Sequence, residues 1–349
     1  MKNFTPTLFI DIGANAANAL TVSAALGNTS GALTKSGPGK LILQGSSTAF
    51  TGSVYVDEGT LQLAGATANL LGTGAGSTYV RQLGTLDING AGVSAAPYAS
   101  ATSLPTVALG GLTGGGSTSP VVQAQTTAAA ASTNSTTLTV ASAAGIALGQ
   151  TVIGLSSVNG APNSGTAVVT GISGTTITLS SPLTLASGNN LNFVANVTSG
   201  ATVTNSGSTA AAISVGGASA TGIYTGLIQD GGAALSVIKL GSGTEALLGM
   251  NTHTGATVIS AGTLAVTNLA NIGMPSSLGK GDNTSAATNA ASLVLNGGTL
   301  QYVGQSSTYV RLTQTPSIAI DRLFTLAASS AIASDGTFGN MYLTGGSAN

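Results

Sequence analysis

Residues 34–65 read TKSGPGKLILQGSSTAFTGSVYVDEGTLQLAG. Three short apolar runs, Leu41-Ile42-Leu43, Val54-Tyr55-Val56 and Leu61-Gln62-Leu63, alternate with Gly37, Gly39, Gly45, Gly52 and Gly59. Each run is too short for a helix, and none makes a core alone. Glycine supplies the positive φ or the close backbone approach that a sharp corner needs. Alternation within LQLAG points Leu inward and Gln outward. The stretch therefore reads as strand, corner, strand, and its burial requires a neighbour of the same kind.

The neighbour is in the chain. VIKLGSGTEALLGMNTHTGATVISAGTLAV (237–266) aligns with 33–63. Lys239 falls under Lys35, Gly241-Ser242-Gly243 under Gly37-Pro38-Gly39, Gly249 under Gly45, and Gly262-Thr263-Leu264 under Gly59-Thr60-Leu61. Gly-Thr-Leu recurs at 84–86 and 298–300, and STYVR at 77–81 and 307–311. A diverged duplication of short strands and glycine corners predicts an all-β solenoid, in which stacked coils bury one continuous aliphatic column.

The arrangement LTKSGPGKLILQGSSTAFTGSVYVDEGTLQLAG resembles the autotransporter-associated β-strand repeat of bacterial surface proteins. The second copy departs from that pattern: Glu245-Ala246 replaces a Leu-x pair, and His253 stands in the aromatic slot of Phe50. GLIQDGGAALSVIKLGSG (226–243) is similar to the lead-in of such a repeat, and LFTLAASSAIASDG (323–336) to the strand pair that follows one. The resemblance implies a right-handed parallel β-helix in an extracellular passenger region. No segment has the strands of roughly ten residues and the aromatic girdles of an outer-membrane barrel.

Residues 124–196 break the rhythm, with hairpin-like turns at Ser173-Gly174 and Ser187-Gly188. The flanks 109–117 and 201–209 would join if this piece were removed, which predicts a small β-sandwich or barrel inserted at a corner. The expected organisation is a first solenoid segment over 1–123, the inserted module over 124–196, and a second solenoid segment over 197–349.

Composition limits the function. Only 5% of the 349 residues are charged, the net charge is −1, and Gly contributes 51 residues. The eight Lys and Arg form no basic stripe, so nucleic acid is not an expected partner. No run of about 18 apolar residues exists to span a membrane. Met1-Lys2 before Leu8-Phe9-Ile10 is too short and too soon interrupted by Asp11 for a signal peptide. If the protein is secreted, a leader has been removed or export takes another route. The absence of Cys leaves the redox compartment open.

Catalytic, cofactor-binding and metal residues are not expected, and the chain reads as a non-enzyme. Of the nine acids, Asp11, Asp57, Glu58, Asp87, Asp230, Glu245, Asp282, Asp321 and Asp335, only Asp57 and Glu58 are adjacent, at the corner before Gly59. A glycosidase needs two convergent carboxylates. His253 is the single histidine, read as a ring stacked on a ladder, and without Cys it makes no zinc site. Neither a calcium loop nor a phosphate-binding loop occurs. Lys35 and Lys239 read as outward strand residues that discourage edge pairing. The Asn-x-Ser/Thr matches at Asn3, Asn28, Asn134, Asn196 and Asn283 are what a Ser/Thr-rich chain gives by chance.

The ends matter more. Thr7–Ile12 and Phe338–Leu343 are apolar and strand-forming, unlike the polar caps of soluble solenoids. Terminal strands that pair with the next copy would give a heterologous, non-closing interface and hence a filament. The leading expectation is a structural protein of the bacterial surface, a fibre subunit or adhesin shaft with itself as partner. A carbohydrate-binding adhesin, engaging surface glycans through Tyr79, Tyr98, Tyr224, Tyr302 or Tyr309, is one alternative; a β-helical polysaccharide lyase or hydrolase is another.

Overall fold

The computed structural model describes residues 7–13, 15–27, 30–64, 71, 76–99, 101–115, 122–144, 146, 150–154, 167–194, 201–303, 318–334 and 341–343. It is a parallel β-helix. The chain runs repeatedly over three faces, and each strand pairs in parallel with the strand one coil away.

The first face runs from Thr7–Asp11 through Ala32–Ser36, the start of Val54–Leu63, the start of Thr78–Asp87, Leu112–Gly115, Gly222–Tyr224, Thr244–Leu247, Thr263–Val266 and Thr299–Tyr302 to Ala331–Ser334. The second face carries Ala19–Val22, Lys40–Leu43, the ends of the two long strands, Thr202–Thr204 and Leu227–Ile228. Because Val54–Leu63 and Thr78–Asp87 bend across both faces, the two join into one 14-stranded sheet. The third face is a separate seven-stranded sheet. It is entered by the antiparallel pair Val93–Ala95 and Leu104–Ala108, then stacks Ala211–Val215, Leu235–Lys239, Thr257–Ile259, Leu293–Asn296 and Thr325–Ala328.

Strand alternation fixes which side chains enter the core. On the second face Leu41, Leu61, Leu86, Val203 and Ile228 stack inward in register. On the third, Val107, Ile213, Val237, Thr257 and Leu293 do the same. All of these are buried, and together with Leu33, Val54, Leu112 and Leu264 they belong to one continuous core, Thr257 excepted as a polar member. The third face is also apolar outside. Ala212, Ile238, Val258 and Val294 form a small outer cluster against Tyr98, Leu104 and Ala256.

The two sequence repeats do not occupy the same faces. In the first copy, LTK lies on the first face and KLIL on the second. In the second copy, VIK lies on the third face and TEAL on the first. What the copies share is the corner. At Gly59 (φ +67°) a Cβ would lie 2.4 Å from the Gly39 carbonyl oxygen and 2.5 Å from that of Gly37. At Gly262 (φ +59°) it would lie 2.4 Å from the carbonyl oxygens of both Gly241 and Gly243. The duplicated unit is thus a corner with its two flanking strands, and it has been placed one face round the prism.

Residues 122–194 pair only among themselves among the described residues. They form two three-stranded antiparallel sheets, with Asn190–Val194 central in one and Thr176–Leu185 central in the other. Ile177, Leu179, Leu191 and Phe193 contribute to a core separate from that of the solenoid. Among the described residues no sheet closes into a barrel, which corrects that half of the expectation. The flanks do meet: Leu112–Gly115 stacks on Thr78–Arg81 and Thr202–Thr204 on Thr85–Asp87, so the insertion leaves the solenoid at the corner between the first and second faces.

The corner glycines give a direct test. Gly59→Ala forces a side chain into the preceding coil's backbone as well as into positive φ, and should cost about 2–4 kcal/mol. Gly90→Ala, at φ +69° with its nearest atom 3.8 Å away, should cost only the backbone term of about 1–2 kcal/mol. Urea denaturation of the two variants checks the difference, and equal losses would refute the close-approach account.

Candidate functional site

Interior polar groups come first, because they decide which residues are left for the surface. Lys35 follows Leu33 and Thr34, so alternation places it inward with Leu33, beside the equally inward Val56. The expectation of an outward lysine is therefore wrong. Its stem lies in the core and its ammonium donates to the carbonyls of Ser36 (2.7 Å), Gly37 (2.6 Å) and Glu58 (3.0 Å). Lys239 repeats this arrangement with Leu240, Gly241 (2.8 Å) and Ala261 (3.2 Å). A glycine corner turns carbonyls away from the sheet ladder, and buried carbonyls need donors. The lysine supplies three donors at one point. Burial lowers the pKa of both lysines; Glu58 and Asp11 oppose this at Lys35, and Glu245 at Lys239.

Arg322 works in the same way where the chain is irregular. It is buried, and it donates to the carbonyls of Ala270 (2.8 Å), Met274 (3.2 Å), Gly279 (2.6 Å) and Lys280 (3.3 Å) and to Ser276 Oγ (3.3 Å). Burial brings its pKa down to about 10. Sequence reasoning did not single out this residue.

His253 is fully buried in the slot equivalent to Phe50, but among the described residues no stacked ring pair includes it. Its Nε2 lies 3.2 Å from Thr257 Oγ1, and Gly279 packs on the ring so closely that a Cβ there would sit 2.5 Å from it. Burial drives its pKa down to about 4 against the opposing pull of Asp230, so the ring is neutral. Glu245, at a leucine position of the repeat, points inward on the first face and is also fully buried. Its Oε2 accepts from the Leu112 amide at 3.4 Å, and Gly222 opposite leaves room for the carboxyl because a Cβ would lie 2.6 Å from both oxygens. Burial pushes its pKa up to about 8, despite the Leu112 amide and Lys239.

The other described acids occupy separate environments. Asp57 pairs with Arg81 at 3.0 Å. Asp87 accepts from Gln62, Asn89 and Ser206. Asp230 accepts from Leu235 and Thr254, and Asp321 from Ile272. No two of these carboxylates share a hydrogen-bond partner, and among the described residues no three His, Cys, Asp or Glu side chains group as metal ligands.

Two surfaces remain. One is the outside of the first face, where Tyr55 and Tyr79 stack with centroids 4.6 Å apart and planes 7° from parallel. The Arg81 guanidinium lies 5.8 Å from the Tyr55 centroid. Of the tyrosines singled out from sequence, Tyr79 is here and Tyr98 lies over the third face. Tyr224 and Tyr302 are buried in the core, Tyr224 donating to the Ala201 carbonyl at 2.9 Å. Tyr309 lies outside the described residues. Tyr55, which sequence reasoning passed over, is the partner of Tyr79.

The other surface is the pair of ends. Among the described residues, Thr7–Asp11 pairs only with Ala32–Ser36, and Ala19–Val22 only with Lys40–Leu43. Leu8 and Leu20 sit in inward register yet are 51% and 44% exposed. Leu8, Leu26, Leu33 and Phe50 line a cavity of about 260 Å³ at this end. At the opposite end, among the described residues, Thr325–Ala328 pairs with Leu293–Asn296 and Ala331–Ser334 with Thr299–Tyr302, and the inward residues Leu326 and Ile332 are 63% and 39% exposed. Of the expected C-terminal run, Phe338–Asn340 lies outside the described residues. Met341–Leu343 forms a strand parallel to Ile318–Ile320.

Comparison with known proteins bears on this geometry. Residues 33–63 and 237–266 match the passenger-associated-transport-repeat family. A stretch of 145 residues is 34% identical to "Adhesin BmaC autotransporter" of Brucella suis biovar 1 (strain 1330), covering 38% of this chain and 4% of that protein. The chain spans a small fraction of the length of that relative. No solved structure matches. The chain therefore carries two copies of a passenger-associated-transport repeat and is similar to an autotransporter adhesin over part of its length.

The buried pair Glu245 and His253 sets a pH profile. Between about 4.5 and 8 the folded state holds a Glu245 proton that the unfolded chain has released, so stability falls as pH rises. Between about 4 and 6.5 the unfolded chain holds a His253 proton that the folded state lacks, so stability falls as pH drops. The slopes oppose each other from 4.5 to 6.5, and above 6.5 Glu245 acts alone. Denaturation midpoints should therefore decline from pH 6.5 to 8. Glu245→Gln should remove that decline and add on the order of 3 kcal/mol at pH 7. An unchanged slope in the variant would refute the assignment.

Proposed function

We propose that this chain is shaft material of a bacterial surface adhesin: a non-enzymatic β-helical rod, displayed outside the cell, whose ends stack on copies of itself. The observation that carries the reading is the match between the two ends. Among the described residues, both ends present a first-face strand of the same parallel polarity, and both leave inward apolar side chains exposed. Placing Ile332 of one copy over Leu8 of the next would continue the core column and fill the cavity beside Leu33 and Phe50. The edge of a sheet is a template for a further strand. A head-to-tail interface of this kind does not close, so it extends.

The repeat match and the adhesin relative support a secreted, surface-exposed role. The non-enzymatic reading is supported by the scattering of the described carboxylates and by the structural use of His253. Glycosidase chemistry would require two of those acids to face one another across a substrate.

Sedimentation velocity and negative-stain electron microscopy of the purified protein test the assembly. Oligomers should lengthen with concentration while keeping the width of one solenoid. Leu8→Lys and Ile332→Lys should each abolish growth. An equal mixture of the two variants should stop at a dimer, since one intact end of each remains. Uniform monomers at every concentration would overturn the head-to-tail reading.

A further inference from the structure

The outside of the first face carries a regular aromatic row. Phe9, Thr34, Tyr55, Tyr79 and Thr113 follow one another in register, one per coil. Ile223 comes next, one residue before Tyr224, which pairs with Gly114. Phe9 and Ile223 are 61% and 58% exposed. Two large side chains at the centre, a threonine on each side, and a large apolar group beyond each threonine make the row nearly symmetric.

The stacking geometry gives this row two slots. The Tyr55–Tyr79 separation of 4.6 Å is close to the spacing of adjacent strands, and the planes are parallel, so the pair stacks from one coil to the next along the solenoid. Each ring covers one face of the other. Beyond Tyr55 the row continues over the buried Thr34 to Phe9, and beyond Tyr79 over Thr113 to Ile223. Each slot spans two strand spacings, about 9.5 Å. A flat aromatic ring in contact with both walls would occupy about 7 Å, since carbon contacts are about 3.5–4.0 Å. A puckered pyranose chair, thicker by its ring depth and axial hydrogens, fills more of the gap.

The surroundings favour the same occupant. Ser53 and Ser77 flank the row on one side, and Ser36 with the Asp57–Arg81 pair on the other. Asp57 and Arg81 compensate each other, and Asp11, in register with Ser36, adds a carboxylate beside the Phe9 slot. Apolar walls and hydrogen-bonding flanks of serine hydroxyls, carboxylates and a guanidinium match the alternating C–H faces and hydroxyl edges of a neutral sugar, by the same logic that makes mixed apolar and polar sites ligand-selective. We propose that Phe9–Thr34–Tyr55 and Tyr79–Thr113–Ile223 are two glycan subsites on the outside of the solenoid, each taking one neutral pyranose ring edge-on. The proposal does not depend on end-to-end assembly, because outward residues of the first face stay exposed in a stacked rod.

Saturation-transfer NMR on the intact chain tests it, with cellohexaose, maltohexaose and chitohexaose as sugar probes and phenol as the flat-ring probe. At least one hexasaccharide should receive saturation, strongest on the ring C–H protons. Phe9→Ala and Ile223→Ala each remove one wall without touching the tyrosine stack, and each should lower the transfer about two-fold. The double variant, checked for unchanged circular dichroism, should lower it more than five-fold. The proposal is overturned by no transfer to any hexasaccharide, by transfer unchanged in the double variant, or by a response to phenol alone, which would point to aromatic side chains of a protein partner.

Discussion

Carbonyl groups at the glycine corners set the terms for this molecule. Coils stacked at strand spacing bring backbone against backbone wherever the chain turns, and a turn takes its carbonyls out of the ladder. Glycine solves the steric half of the problem, since a Cβ at Gly59 or Gly262 would lie 2.4 Å from a carbonyl oxygen of the neighbouring coil. The hydrogen-bonding half is solved by buried cations. Lys35 and Lys239 gather three carbonyls each at equivalent corners, and Arg322 does so along the irregular stretch 270–280. An ammonium so placed is desolvated, but charge-assisted donation to several oxygens offsets that cost better than a neutral donor could. Because the corner is self-sufficient, it can sit between any two faces, and the second copy of the repeat does sit one face away from the first.

The same economy explains the low charge of the chain. Lys35, Lys239, Arg322, Asp87 and Glu245 are all buried, so a substantial part of the few charges serves the interior. The second half of the solenoid is the more polar inside, with Glu245, His253, Thr257, Asn251 and Ser276 all fully buried. Most of these have local partners, and Asn251 bridges the Ile228 amide and the Ser277 carbonyl. Glu245 is the least satisfied, because a leucine position offers a carboxyl little beyond one backbone amide.

Much of the fold was legible in the sequence because glycine corners and period-2 alternation are local signals. The repeat, the parallel stacking and the inserted antiparallel module all follow from them. The face shift was not legible, since pairing partners depend on how many residues each loop consumes. The inward lysines were legible in principle: Leu33-Thr34-Lys35 alternates, and Lys35 falls on the side of Leu33. A general preference for solvated lysine outweighed that signal. Tyr224 illustrates the reverse case. In Gly222-Ile223-Tyr224 the isoleucine is outside and the tyrosine inside, because Gly222 must face Glu245 and alternation carries Tyr224 with it. Residue type suggests the opposite assignment.

A parallel ladder is also a ruler. Side chains in one outward row recur at a fixed interval, so the distance between two of them is an integer number of coils whatever the loops between them do. The loop that precedes Leu112 and the module inserted after it change the path of the chain without changing the step from Tyr79 to Thr113 to Ile223. Spacing on the outside of the rod is thereby insulated from insertions, while chemistry at each step is set by single residues. A surface whose recognition depends on slot width can diverge by exchanging a threonine for a larger side chain, and the core beneath, held by the opposite set of residues, does not register the change.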